Sequence, residues 1–385
     1  MRETNLPKIR TNGLRVGPAM RIVNIACQMS AGGTQTLAMR MAAEFRKRGH
    51  VAETWFLFLK RPTYFGQDGT RVLLRHPPQG KTSYLWAMRA LVQELRSFRP
   101  DAVVSYGPYA SIPGQIGGLI AGVPIRVASQ GNPSWIHPRL TRYLDCTMGS
   151  LGIYTTKIAV SDSVYESYNG YPVPYVKRLR VIHNGVAFSA SSLEPVEARE
   201  KFSLPKQVPL VLNVGRLAHQ KNQELMLQAL PFLPKVHLAI AGDGELHQTL
   251  VQMAATLGVQ DRVHLLGEVP PADIPDFLRA GNLFAFPSRW EGFGLALLEA
   301  MHAGLPVIAS DIPVLREVLQ GDEGGPAGLL VPLDDSPAWS RAVQRLLEDN
   351  NLRAALSLRA RRRAAFFDFE RMVDGYEDCL NGARR

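Results

Sequence analysis

The sequence predicts an α/β protein made of two doubly wound, parallel-sheet domains that face a cleft. Three observations carry this expectation. Strand-like and helix-like runs alternate along the first half, the same alternation restarts after residue 207, and 385 residues with 46% hydrophobic content can fill two cores. Alternation of this kind builds parallel sheets covered by helices on both faces.

Arg21 to Cys27 reads as a buried strand and Ala31-Gly32-Gly33 as a tight loop. Thr34 to Arg48 reads as a helix, with Leu37, Met41 and Phe45 on one face and Gly49 as its stop. The unit repeats with a strand at Ala102 to Tyr106 before a helix at Ser111 to Ala121. Strands follow at Ile125 to Ala128, Ile158 to Val160 and Arg180 to Ile182. Residues 187 to 206, with Ser189 to Ser192, two prolines and mixed charge, hold the expected linker, bounded at 191–206.

In the second half the expected strands are Val208 to Val214, Val236 to Ala241, Val263 to Leu266, Leu283 to Pro287, Val307 to Ala309 and Leu329 to Val331. Expected helices are Asn222 to Leu230, Glu245 to Leu257, Asp273 to Ala280, Leu295 to Ala303 and the region of Trp339 to Leu347. Residues 352 to 365 are strongly basic and read as a solvated helix face, with anion binding as the alternative. The division is therefore 1–19 as a disordered arm or misplaced start, 20–190, the linker, 207–365, and a terminal segment 366–385.

Residues 1–190 hold 24 Lys and Arg against 9 Asp and Glu, a balance of +15; residues 191–385 hold 20 against 25, a balance of −5. The basic half offers a surface for anionic lipid or a phosphorylated acceptor, weighed against a merely solvated face. Arg46-Lys47-Arg48, Lys60-Arg61 and the stretch from Lys81 to Arg99 are its basic clusters; the last mixes in Tyr84, Leu85, Trp86 and Met88 as an interfacial helix does. No zinc-finger or RNP signature points to nucleic acid. No segment approaches the ~20 apolar residues of a spanning helix, and residues 1–20 lack a signal-peptide core, so any membrane contact is expected to be peripheral. Cys27, Cys146 and Cys379 are too scattered for a metal site and indicate free thiols in a reducing compartment.

The chemistry concentrates at strand-to-helix corners. In FAFPSRWEGFGLALLEAMHAGLPVIAS, residues 284 to 310, a buried strand gives way to a glycine-containing turn and then to a helix, with Glu291 on the turn and Glu299 in the helix. Eight residues correspond to about 80° of helical rotation, so both carboxylates can face one cavity while doing different work. The free N–H groups and positive dipole end of such a helix favour an anion. A second corner holds Gly215-Arg216, then Lys221-Asn222. An Arg fork and a Lys point charge can stabilise a departing diphosphate inside a closed cleft. Spacing alone favours instead a local ion pair for Arg216 and an exposed Lys221.

Glu291 and Glu299 in E-x7-E spacing, followed by EAMHAGLPVIASD, together with the Gly-Arg and Lys-Asn segment, resemble the retaining GT-B glycosyltransferases of family four. The resemblance implies the GT-B fold: two Rossmann-like domains, the first binding the acceptor, the second the nucleotide sugar, with the last helix crossing back to the first. It implies that Glu291 lies against the transferred sugar and that Glu299 holds the ribose. It also implies that Arg216 and Lys221 bind the diphosphate, that Gly294 and Leu295 offer it backbone N–H groups, and that Gly32, Gly33 and Gly215 allow close approach of the donor. Gly242-Asp243-Gly244 reads as a turn near the nucleotide, with Asp243 a turn former. Asp-x-Asp, the mark of metal-dependent transferases of the other common fold, does not occur, so neither metal nor cofactor is expected.

One loop departs from the pattern. Where the family often carries His near the sugar, Ala128-Ser129-Gln130-Gly131 presents Gln130, which can hydrogen-bond a hydroxyl but cannot transfer a proton; His137 is a nearby substitute. His183 reads as structural. The expected activity is retaining, metal-independent transfer of a hexose from a nucleotide sugar to a lipid-linked or polysaccharide acceptor in cell-surface glycan synthesis, by a cytoplasmic protein at the inner face of the membrane. A phosphorylase or soluble disaccharide synthase of the same fold, and a noncatalytic sugar-nucleotide-binding module, are the alternatives.

Overall fold

The computed structural model describes residues 18–30, 32–321 and 324–382. The first domain runs β1 (Arg21–Met29), α1 (Gly33–Lys47), β2 (Val51–Leu59), β3 (Thr70–Leu74), α2 (Gly80–Phe98), β4 (Ala102–Tyr106), α3 (Pro108–Ile120), β5 (Ile125–Gln130), α4 (Arg139–Ser150), β6 (Thr156–Ala159), α5 (Asp162–Glu166), α6 (Val173–Val176) and β7 (Leu179–Val181). Its strands pair in parallel in the order β3-β2-β1-β4-β5-β6-β7. Alternate residues of β1 serve opposite cores. Ile22 and Ala26 pack with Leu37, Met41 and Phe45 of α1, whereas Val23 and Ile25 pack with Leu91 and Leu95 of α2 and Ala110 of α3. Helices therefore cover both faces, which is why the strands read as continuous apolar runs.

The second domain runs α7 (Pro195–Lys201), β8 (Leu210–Val214), α8 (Gln223–Ala229), β9 (His237–Ala241), α9 (His247–Thr256), β10 (Val263–Leu265), α10 (Ile274–Arg279), β11 (Leu283–Phe286), α11 (Leu295–Ala303), β12 (Val307–Ser310), α12 (Pro313–Leu319), β13 (Leu329–Val331), α13 (Ser336–Glu348) and α14 (Asn350–Ala364). Its order is β10-β9-β8-β11-β12-β13, again all parallel. Strand order reverses between β8 and β11, and ligands of open parallel sheets bind outside the carboxyl ends at such a reversal. The two corners singled out in the sequence, 215–222 and 287–294, are the loops that leave those two strands.

The last helix, α15 (Phe369–Gly382), lies on the first domain. Phe369, Met372, Val373, Tyr376 and Leu380 form its apolar stripe and join the core that contains Met41 and Phe45. The Tyr376 hydroxyl meets that of Ser129 at 2.7 Å, and Arg48 pairs with Asp374 and Glu377 at 2.6 and 3.0 Å. Gly185 makes the crossing possible, because a Cβ there would overlap the Asp368 carbonyl.

Several expectations need correction. The 191–206 linker contains α7, whose capping box joins Glu194 and Glu197 with Pro195 at the first helical position. Arg199 then clamps it to the second domain, donating to the carbonyls of Ala280, Pro205, Lys206 and Val208 and to Asn282. Strands β2 and β3 and helices α4, α5, α6 and α12 lie where no element was read. Ala31, residues 1–17 of the arm and 383–385 of the terminal segment fall outside the described residues. No helix among the described residues is long and apolar enough to cross a membrane.

Candidate functional site

The two corners of the second domain are zipped together. Gln220 donates to the Trp290 carbonyl at 2.9 Å, the Arg289 amide donates to the Gln220 carbonyl at 2.8 Å, and the Arg289 guanidinium donates to the Asn222 side chain at 2.9 Å. Asn222 holds the left-handed conformation, φ 53°, which turns the chain into α8 just after Lys221. Held this way, the Lys221 ammonium meets the Glu291 carboxylate at 2.5 Å and lies 5.0 Å above the Phe286 ring. Its aliphatic stem passes 3.4 Å from the place of a Cβ on Gly215. Glu291 is only 7% exposed, so the pair is largely withdrawn from water.

Arg216 does the reverse of what spacing alone favoured. Its side chain is exposed and has neither a hydrogen bond nor an ion pair among the described residues. One corner, 215–222, thus carries both a free guanidinium and the lysine of a buried ion pair. Gly294, at φ 94°, turns the chain into α11, whose first turn has no side-chain cap and no acidic residue. The first turn of α1 is likewise uncapped and free of acids, and its Gly33 stands against Leu295: a Cβ there would lie 3.5 Å from Leu295 Cδ1. Two positive helix ends therefore meet across the cleft. Gly32 precedes α1 in extended backbone.

Glu299, one turn into α11, makes no hydrogen bond or ion pair among the described residues. Burial pushes its carboxyl above the usual range, and the charge of Arg40 on α1 offsets part of that shift. Glu291 and Glu299 consequently differ in kind: one is neutralised by a lysine, the other is left to be satisfied.

Gln130 and His137, read from the sequence as alternatives, form one unit. Their Nε2 atoms are 2.6 Å apart, Gln130 is buried, and its Oε1 has no partner. Burial lowers the His137 pKa and the charge of Lys157 lowers it further, so the neutral ring can accept from the Gln130 amide. Lys157 itself is buried against Asp145 and lies over the rings of Tyr154, Tyr168 and Tyr175 at 5.1 to 5.5 Å. The next residue, Gly131, touches the second domain, where a Cβ on Gly292 would overlap its carbonyl. That contact sets Gln130 and Glu291 on either side of the domain boundary.

Two family models cover the chain without overlapping. Glycosyltransferase Family 4 matches residues 31–189 and Glycosyl transferases group 1 matches residues 196–363, so their boundary falls at the junction of the two sheets. The chain belongs to the GT-B glycosyltransferases of family four. Among its relatives are a D-inositol 3-phosphate glycosyltransferase of Salinispora arenicola, 32% identical over 58% of this chain and 52% of that protein, and the lipopolysaccharide core biosynthesis glycosyltransferase LpsE of Rhizobium meliloti, 30% identical over 53% and 58%. The chain spans about half the length of the relatives it matches. In fold it is similar to Anabaena HepE in complex with UDP and glucose, with a TM-score of 0.82, 21% identity and coverage of 94% of this chain and 100% of that one.

This glycosyltransferase also has domain contacts that the sequence did not announce. Glu317 of α12 accepts from the Asp162 and Ser163 amides of α5 at 2.9 and 3.0 Å and from His183 at 2.9 Å. Asp162, His183 and Glu317 place three ligand-type atoms within 4.8 Å, but the Glu317 oxygens are already occupied by those donors. Asp243 acts as a turn former, accepting from the Gly244 amide, while Arg61 reaches across to Asp243 and Glu268 at 3.5 and 2.9 Å. Arg40 could have been suspected only as an unassigned charge on the apolar-striped α1, and Glu317 lies where no helix was read.

Proposed function

We propose that the protein transfers a hexose from a nucleotide sugar to a lipid-linked or saccharide acceptor, with retention at the anomeric carbon and without a metal ion. The observation that carries this reading is the Lys221–Glu291 pair, with an unpaired Arg216 on the same corner as Lys221 and the open amino end of α11 following Glu291. In this reading Arg216, Lys221 and the Gly294 and Leu295 amides bind the donor diphosphate, and Glu299 accepts from the ribose hydroxyls. Glu291 contacts the sugar and keeps Lys221 in place. Gly32 and Gly33 let the first domain close over the phosphates.

The transfer breaks the bond from anomeric carbon to phosphate oxygen and forms the bond to the acceptor oxygen on the same face. The acceptor proton passes to the departing diphosphate, whose growing negative charge the two cations stabilise. Gln130, held by His137, offers a hydrogen bond to a sugar hydroxyl. Names of similar proteins guide the choice of ligands: HepE is described with UDP-glucose, and relatives act on inositol phosphate or a lipopolysaccharide core. Cell-surface glycan synthesis at the inner face of the membrane is the setting this reading gives the chain.

The test is thermal shift against UDP, GDP, ADP and their sugars without metal, with Arg216→Ala and Glu299→Ala alongside. One nucleotide at a hundred times its dissociation constant should stabilise the wild type by about 2.7 kcal/mol. Both substitutions should abolish that shift, and the product should keep the donor's anomeric configuration. Loss of all nucleotide shifts would overturn the reading, and an inverted product would remove its stereochemical part. Sugar release by inorganic phosphate would favour a phosphorylase instead.

A further inference from the structure

The basic first half has three clusters suited to an anionic partner, and their surroundings separate them. In the first, Arg46 donates to the Ala52 carbonyl, Lys47 pairs with Glu44, and Arg48 pairs with Glu44, Asp374 and Glu377. In the second, Arg61 is engaged with Asp243 and Glu268. Most of their charge is thus answered within the molecule.

The face that carries α2 is different. Helices α2, α3 and α4 lie side by side on the sheet face opposite α1 and α15, each starting beyond the carboxyl end of a strand, on the cleft side. The outer surface of α2, of α4 and of the 3-10 turn (Ser134–Ile136) that precedes α4 holds Tyr84, Leu85, Trp86, Trp135, Leu140 and Tyr143, each 59–73% exposed. Arg75, Arg89 and Arg139 are exposed among them with no ion-pair partner among the described residues. No Asp or Glu occurs from residue 69 to 93 or from 102 to 144, and the first turns of all three helices are free of acids. Large apolar side chains left in water mark a docking surface, and Trp and Tyr mixed with unpaired arginines suit the boundary between lipid headgroups and acyl chains.

We propose that the outer face of α2, α3 and α4 docks on an anionic lipid bilayer. This deepens the lipid-linked acceptor reading and rests on it for its purpose, since the face borders the cleft and would bring that opening to the membrane plane. A neutral surface offers the arginines nothing, whereas each cation near an anionic surface strengthens binding about fivefold at low salt.

The experiment is flotation of the full chain with phosphatidylcholine vesicles, with and without phosphatidylglycerol, at low and high salt. Emission of Trp86 and Trp135 is followed in parallel. The protein should float only with anionic vesicles at low salt, with a blue shift that Trp86→Phe and Trp135→Phe diminish. The triple variant Arg75→Ser, Arg89→Ser, Arg139→Ser should weaken binding on the order of a hundredfold. Leu85→Ser with Trp86→Ser should also weaken it, with unchanged melting and an unchanged nucleotide thermal shift. Absence of binding at low salt, or binding indifferent to both sets, overturns the proposal. So does a concentration-dependent dimer abolished by Leu85→Ser with Trp86→Ser, which would give the face to a second copy. A retained nucleotide shift without flotation sinks only the docking surface; flotation without a nucleotide shift sinks only the transferase reading.

Discussion

Replacing Lys221 by Met leaves the Glu291 carboxylate stranded. The Glu291 side chain is 8% exposed and its partner's 19%, so this is a largely buried pair with one edge toward solvent. Removing one member of a buried pair costs about 3–5 kcal/mol, and the open edge puts Lys221→Met near the lower bound, about 3 kcal/mol. Glu291→Gln should cost less, about 1–2 kcal/mol, because the ammonium keeps the Phe286 ring and can draw in water. The double variant removes both charges and should lie within about 1 kcal/mol of the wild type, a coupling of about 3 kcal/mol. For a domain of this size the single Lys221→Met variant should melt roughly 6–12 °C lower. Urea unfolding followed by Trp fluorescence measures the cycle, and transfer assays follow it: all three variants should be nearly inactive, including the stable double variant. Additive single effects would refute the energetic argument. Activity restored in the double variant would refute the chemical one.

A methyl group on Gly292 would overlap the Gly131 carbonyl, so Gly292→Ala should hold the domains apart. Nucleotide affinity should persist while turnover falls at least about tenfold, the loss expected from slight misplacement across a cleft; unchanged turnover would deny the contact. The hydrogen bond to Glu317 chiefly holds the His183 pKa above its ordinary value. Its stabilisation is therefore complete below the unfolded value near 6.5 and is lost as pH rises through the raised folded value. Solvent access limits the effect to about 1 kcal/mol or less, visible as a urea midpoint that falls with pH in the wild type but not in His183→Gln. Burial raises the Glu299 pKa, so Glu299→Gln should stabilise the empty protein at neutral pH. The same change should weaken nucleotide binding by about 1.5–3 kcal/mol, read by calorimetry.

Ala102–Tyr106, Leu295–Ala303 and Leu329–Val331 match the sequence reading residue for residue, because each is an apolar run or a set of strong helix formers bounded by glycine or proline. β2 escaped notice because Glu53 and Thr54 interrupt its run. The fold answers Glu53 with the neighbouring Trp55 indole N–H and with Arg71 of β3, 18 positions away, which a local pattern does not supply. Helix α12 has only seven residues, too few for a periodic signal. At the site, glycine corners and charges were legible, but their pairing was not. Lys221 and Glu291 are 70 positions apart, and Glu317 lies more than 130 positions from each of its partners across the boundary. Arg216 and Lys221 exchanged their expected surroundings because the Gln220–Trp290 zipper, a tertiary contact, decides which side chain turns inward.

The position of α15 sets an order of events during synthesis. The first domain's sheet ends at Val181, yet five side chains of its core arrive only with residues 369–380. At 5–20 residues per second, roughly ten to forty seconds of translation separate β7 from α15. For that interval the groove beside Met41 and Phe45 remains uncovered, an opening for chaperones or for misassembly. The second domain meanwhile emerges almost whole. The half made first is thus the half finished last, and its completion fastens the two lobes in the same step.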